Sequence, residues 1–315
     1  MYPQRLEAPK LTAFEHTPSP ISSSALPPKN TLLFIGGMTD GFLTVPYVTP
    51  LANYLHNHPL SDSYSVVEIL LSSSYNQWGL GSVSQDAEEI SKCVAYFRNL
   101  RPNSGKMVFL GHSTGCQDIM EYLTGAGAES RERVDGAIFQ ASVSDREALD
   151  TIYAADTSTR KTVDELNNLA RTYVNQGRGS DTLPFSKTGY IFPGVPISGE
   201  RWLSVVSPAS DYAGSEDFFS SDLPDERLKN TFRKIAANTK VAIMFGGSDE
   251  YVPPRVDREA LVSRWVRELE EGEAKVDREA TGVLEGATHN LDKVEGLVLR
   301  EFMQRVRGFL EKLRE

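Results

Sequence analysis

The sequence predicts an α/β architecture: a mostly parallel sheet flanked by helices, with a helical cap inserted after the strand near residue 139. Three features carry that reading. Short apolar runs such as Thr31–Ile35 and Lys106–Leu110 do not alternate with polar residues, as expected of strands covered on both faces. Segments of helical periodicity separate these runs at the spacing of βαβ units. The rhythm stops after residue 144 and resumes near residue 236. The chain is therefore expected to fold as a core of residues 1–144 and 236–315 with a cap of residues 145–235.

Taken in order, Leu11–Thr17 reads as a short first strand, and Pro18–Pro28 as a Pro/Ser-rich connector. Thirty-one to thirty-five is the first buried strand and ends at Gly36-Gly37. A helix over about Pro46–His56 leads to a second buried strand, Ser65–Leu71. The polar segment Ser72–Ser82 then enters a helix with body Gln85–Leu100, for which Ser82 or Ser84 can cap the amino end. Lys106–Leu110 is the third buried strand, followed by a helix through about Leu123 and a strand over Val134–Phe139. Helices over about Arg146–Ala155, Thr162–Asn175 and Pro224–Ala236 occupy the insertion. The core resumes with strand Lys240–Phe245, a helix at about Arg258–Glu271, a strand over Lys275–Leu284 and a last helix over Leu291–Leu313. In that helix Val298, Phe302, Val306, Phe309 and Leu313 mark one buried face.

Composition narrows the function classes. The chain has 315 residues, 40% hydrophobic and 24% charged, with 33 Lys+Arg against 43 Asp+Glu and a net charge of −10. That length holds one large domain with an insertion. The acidic balance argues against nucleic acid or an anionic membrane as partner. Cys93 and Cys116 cannot build a disulfide framework, and no long apolar stretch or leader-like segment is present, so a cytoplasmic protein is expected. No Cys/His spacing suits a metal, and no glycine pattern suits a nucleotide, so neither metal nor cofactor is expected. The oligomeric state is not legible.

The chemistry lies in Gly111-His112-Ser113-Thr114-Gly115, a G-x-S-x-G pattern between a buried strand and a helix. Glycines two residues on either side let the chain turn sharply, which holds the serine hydroxyl out at the carboxyl end of the sheet. A neutral serine needs a base. Of the five histidines, only His289, in the loop between the last strand and the last helix, is placed to reach Ser113. Asp249 follows strand Lys240–Phe245 and can hold the imidazole, with Glu250 an adjacent competitor and Asp145 a topological alternative. The order Ser113…Asp249…His289 is that of α/β-hydrolases. The oxyanion donors are expected to be the Thr114 amide and an amide of the glycine loop, Gly37 or Met38. Trp78 is a candidate for the pocket mouth, although packing alone would account for it.

Several segments resemble a family of fungal α/β-hydrolases first grouped as uncharacterised proteins, which includes cytosolic siderophore esterases acting on fusarinine C. They are Phe34–Gly41, Leu110–Asp118, the run Ser215–Leu223 and Gly247–Pro253, and the similarity extends over nearly the whole chain. The resemblance implies a carboxylic ester hydrolase with Ser113, Asp249 and His289 as nucleophile, acid and base. Its substrate would be a small ester-linked hydroxamate, a ferric siderophore whose hydrolysis releases iron, with the iron belonging to the ligand. Fusarinine C carries free amines, so Asp217 and Asp222 are candidate contacts for a cationic ligand; a solvated acidic face is the plainer account of both. The alternatives are a general carboxylesterase or thioesterase, and a non-catalytic small-molecule binder of the same fold.

Overall fold

In the computed structural model of the chain, the apolar runs become strands whose successive side chains enter two separate cores. The structure describes residues 11–16, 29–58, 60, 63–101, 105–153, 156–206 and 214–314; Thr17, the connector Pro18–Pro28 and Ala155 lie outside them. Along strand β2 (Asn30–Ile35), which follows β1 (Thr12–Glu15), Leu33 and Ile35 enter one core and Leu32 and Phe34 the other. The alternation recurs in β4 (Met107–His112), β5 (Gly136–Gln140) and β6 (Lys240–Gly246), so an unbroken apolar run is what a doubly covered strand requires. The first core joins the sheet to α2 (Val83–Leu100), α3 (Gly115–Thr124) and α9 (Arg258–Glu271). The second joins it to α1 (Val48–Asn57) and α10 (Gly296–Glu311).

The sheet order is β1-β3-β2-β4-β5-β6-β7, with β3 spanning Tyr64–Leu70 and β7 Lys275–Val276; β8 (Gly282–Leu284) also pairs with β6. Only the β1–β3 pairing is antiparallel. From β2 the chain moves outward to β3, then returns across β2 to β4 and continues the other way. The carboxyl ends of β2 and β4 therefore flank the point where the strand order reverses, which is where open α/β sheets form a crevice.

Departures from the sequence reading have local causes. The expected strand over Lys275–Leu284 is broken between β7 and β8, because Asp277 Oδ1 accepts the amides of Glu279 and Ala280 and closes a turn. The last helix starts at Gly296 instead of Leu291; Leu291 itself has φ 53°, which no helix accepts. Of its expected face, Phe302, Val306 and Phe309 are fully buried. Ser82 is the cap of α2, its hydroxyl accepting the Gln85 amide at 3.1 Å. The polar segment Ser72–Ser82 contains a 3-10 helix, Tyr75–Leu80.

Between β5 and β6 the described residues form helices and a single isolated bridge, Thr182–Ser198. These are α4 (Asp145–Ile152), α5 (Thr157–Asn175), α6 (Phe185–Ile191), α7 (Gly199–Val206) and α8 (Asp225–Lys229), of which α6 and α7 are absent from the sequence reading. The helix expected over Pro224–Ala236 is α8 followed by a 3-10 turn, Phe232–Lys234. A third apolar cluster, with Leu166, Ala170, Ile191 and Trp202 at its centre, also takes in Trp78. Phe218, Phe219 and Phe232 instead join the sheet core, where Phe232 stacks on Trp265 of α9.

Candidate active site

Ser113 sits between β4 and α3 with φ 54°, a left-handed backbone that L residues other than glycine, asparagine and aspartate seldom adopt. The two glycines around it are there for space. A Cβ on Gly115 would lie 2.2 Å from the Ile35 carbonyl oxygen, and one on Gly111 would lie 2.9 Å from the Gly115 carbonyl oxygen. The turn is thus pressed against the end of β2. Ser113 N–H donates to the Gln140 carbonyl at 3.1 Å, which fixes the turn to the end of β5.

His289 and Asp249 meet across two loops. The His289 Nδ1–H donates to Asp249 Oδ2 at 2.8 Å, with both side chains buried. Asp249 is held in turn, because its Oδ1 accepts the Tyr251 amide at 3.0 Å. The adjacent Glu250 has a different partner: its carboxylate accepts the backbone N–H of His289 at 3.0 Å. Asp145 is bound to Gln117 Nε2 at 3.0 Å, not to the imidazole. Of the three acids considered from sequence, Asp249 is the one on the ring. Engaging Nδ1 leaves Nε2 as the basic nitrogen, and the Tyr251 ring stands edge-on to the imidazole at 4.7 Å.

Gln140 ties the serine loop to the histidine loop. Its carbonyl accepts from Ser113, while its Nε2 donates to the His289 carbonyl at 3.2 Å. Its Oε1 accepts the Tyr47 hydroxyl and lies 2.6 Å from His112 Nδ1; His112 Nε2 faces the Asn290 amide at 3.0 Å. Burial first, and the neighbouring His289 second, lower His112 to about 4, so it is neutral near pH 7. The sequence signal for Gln140 was a single polar residue ending an apolar strand.

The glycine loop lies directly over the serine: a Cβ on Gly37 would be 2.7 Å from Ser113 Cβ. The structure separates the two amides left open from sequence. Gly37 N–H donates to Asp40 Oδ2 at 2.7 Å, so it is already engaged, whereas the Met38 amide carries no hydrogen bond among the described residues. The Thr114 amide, at the start of α3, is likewise without a partner among them. Behind these amides lies a cavity of about 30 Å³, with Met38, Trp78, Asp86, Thr114, Asp118 and Arg201 in its wall. Trp78 is buried, standing edge-on to Phe192 at 4.9 Å, and lines this cavity rather than an exposed mouth.

Asp217 and Asp222 do not present free carboxylates to a ligand. Arg146 Nε donates to Asp217 Oδ2 at 3.2 Å and its terminal nitrogens grip Asp222, so both acids neutralise one buried guanidinium. Four acids line the cavity: Asp40 and Glu68, which accept the Gly37 and Leu43 amides, and Asp86 and Asp118, of which the sequence singles out only Asp118, as the end of the segment Leu110–Asp118. Among the described residues no group of three or more His, Cys, Asp or Glu side chains is placed to hold a metal ion.

A parallel sheet with a strained serine turn at its switch point, followed in chain order by an acid and a histidine in hydrogen-bonded contact, defines the α/β-hydrolase class. The chain belongs to the family described as "Protein of unknown function (DUF1749)", whose model matches residues 4–311. It is 34% identical to the fusarinine C esterase sidJ of Aspergillus fumigatus, over 96% of this chain and 93% of that protein. Among solved structures it resembles the siderophore hydrolase EstB from Aspergillus fumigatus, with a TM-score of 0.80 and 33% identity over 96% of this chain and 94% of the other. A soluble variant of monoglyceride lipase from Saccharomyces cerevisiae shares the fold at 12% identity and a TM-score of 0.59, covering 99% and 94% of the two chains.

Proposed function

We propose that this protein is a serine carboxylesterase that cleaves the ester bonds of a fusarinine-type siderophore. The observation that carries the esterase reading is the 2.8 Å contact between His289 Nδ1 and Asp249, at the sheet edge where Ser113 is held in its strained turn. Ser113 Oγ attacks the ester carbonyl while His289 Nε2 takes its proton. Asp249 fixes the tautomer and offsets the charge of the imidazolium. The oxyanion is received by the amides of Met38 and Thr114, with Gly37 kept as the hinge that Asp40 locks in place. His289 then returns its proton to the leaving alcohol, and water repeats the sequence to free the acid and regenerate Ser113.

The substrate class is supported by two relatives, one a fusarinine C esterase and the other a siderophore hydrolase. The bonds cut would be esters linking hydroxamate units, so the ferric ion is cargo released as chelation weakens. Residues 145–235 are assigned as the cap over this site; the part up to Val206 supports this with an apolar cluster that includes Trp78 from the cavity wall, whereas Phe218, Phe219 and Phe232 pack into the sheet core. A cytoplasmic location accords with two cysteines that are both free and buried.

The test is incubation of the purified protein with ferric and iron-free fusarinine C and with the acetylated analogue, read by mass spectrometry. Hydrolysis that is lost in Ser113→Ala is the expected outcome. Unchanged masses alongside turnover of an activated ester would remove the siderophore assignment and leave a general carboxylesterase or thioesterase. Tight binding without turnover of any ester would point to the non-catalytic reading.

A further inference from the structure

The cavity behind the oxyanion loop carries more negative charge than a plain ester would call for. Asp86 from α2 and Asp118 from α3 both line it. Asp86 Oδ1 accepts the Ser73 hydroxyl at 2.7 Å, but Asp118 Oδ1 has no hydrogen-bond partner although the residue is only 4% exposed. Asp145 and Glu216 add to the field around Asp118. The cation in this group, Arg201, lies 2.6 Å from Glu216 and also acts on Asp86 and Asp118, so one guanidinium is set against the four carboxylates of Asp86, Asp118, Asp145 and Glu216. Burial first, then the neighbouring carboxylates, raise Asp118 and push Asp86 up to about 7.

What cation fits is decided by the walls. No three carboxylates converge as metal ligands among the described residues, and the space suits a small group. Trp78 lines the same space, and an aromatic ring beside carboxylates is the combination that recognises alkylammonium ions. Arg201 Nε, also unpartnered, leaves a donor for water or for a carbonyl oxygen of the same ligand. Because Met38 and Thr114 form the near wall, the group bound here belongs to the molecule whose carbonyl sits on those amides. We propose that the cavity is an ammonium pocket in which Asp118, aided by Asp86 and Trp78, binds a protonated primary amine carried by the ester substrate. This rests on the serine esterase reading above, and it moves amine recognition from Asp217 and Asp222 to a site beside the reacting carbonyl.

The experiment compares methyl esters of ω-amino acids of graded chain length with their N-acetyl counterparts, each corrected for an enzyme-free blank. In the wild-type chain kcat/KM is expected to favour the best amino ester by about tenfold or more, the usual scale for a hydrogen bond to a charged group. That ratio should fall toward one in Asp118→Asn and part of the way in Asp86→Asn, which also serves if the first variant does not fold. Thermal melts of Ser113→Ala with n-butylammonium chloride, potassium chloride and 1-butanol at matched ionic strength give a second reading. Protection by the amine alone supports the pocket. Equal protection by potassium, a wild-type ratio of one or less, or a ratio unmoved in both variants would overturn it while ester hydrolysis stands. If no ester is hydrolysed but amine-specific protection persists, the esterase reading fails and the pocket survives.

Discussion

Adjacent carboxylates at Asp249 and Glu250 do different work because one binds a ring and the other a backbone. Asp249 accepts from His289 Nδ1, while Glu250 accepts from the His289 amide. Asp249→Asn should leave the fold intact but permit the wrong imidazole tautomer, and kcat is expected to drop by about 10⁴. Glu250→Gln keeps an acceptor for the same amide and should cost about tenfold or less; a loss equal to that of Asp249→Asn would reverse the two roles. Gly37→Ala is the matching steric test. Its Cβ would collide with Ser113 Cβ at 2.7 Å, so activity on an activated ester should fall by about 10² or more with little change in melting temperature. The strained turn at Ser113 and the contact of Asp249 with His289 are legible because motif and chain order constrain them. The choice between Gly37 and Met38 was not, because it depends on where the Asp40 carboxylate turns. Gln140 was hidden for a similar reason: the three partners of its side chain come from Tyr47, His112 and the loop of His289, none of them close in sequence.

Elements were legible where both faces of a strand or one face of a long helix are buried, and illegible where a single side chain redirects the backbone. Strands β2, β4, β5 and β6 announce themselves by uninterrupted apolar residues. The break between β7 and β8 is made by one aspartate accepting two amides, which no periodicity records. In the insertion, α6 and α7 are only seven and eight residues long, too short for a 3.6-residue period to stand out. The segment around Phe219 is the more consequential case, since it follows the helices of the insertion in sequence yet packs beneath the sheet. Phe219 is buried, with its ring edge-on to Trp265 at 5.4 Å and to Phe232 at 6.0 Å. Phe219→Ala should therefore lower global stability by about 3–5 kcal/mol, seen as a shift of the main urea transition at constant slope. A separate early transition with the main one unmoved would place this segment with the helices of the insertion instead.

At the scale of the molecule, the excess of ten negative charges is unevenly distributed, and part of it is buried. The buried Asp86, Asp118 and Glu216, with the half-buried Asp145 beside them, form an acidic group around Arg201. Burial chiefly brings Asp86 and Asp145 to about 7 and raises Asp118 and Glu216; neighbouring carboxylates add to this at the three aspartates, and Arg201 works against it at all four. An acid whose value is raised by folding binds more protons in the folded than in the unfolded chain between the two values. These acids make stability decline as pH climbs from about 4 toward 7, by ~1.4 kcal/mol per unit for each such group inside that window, and His112, lowered to about 4, offsets one of them below the ordinary histidine value. Surface acids held low by their partners, such as Glu165 beside Lys187 and Asp225 beside Arg264, act only below the ordinary carboxylate range and do not offset this slope. The rise in overall negative charge with pH works in the same direction. Calorimetric melting temperatures should accordingly be several degrees lower at pH 8 than at pH 5, and Asp86→Asn, by removing one of the titrating groups, should flatten the dependence and raise the value at pH 8. Melting temperatures that climb from pH 5 to pH 8 would mean that the buried acids are already compensated in the free protein, and that Arg201 carries more of the balance than its contact with Glu216 suggests.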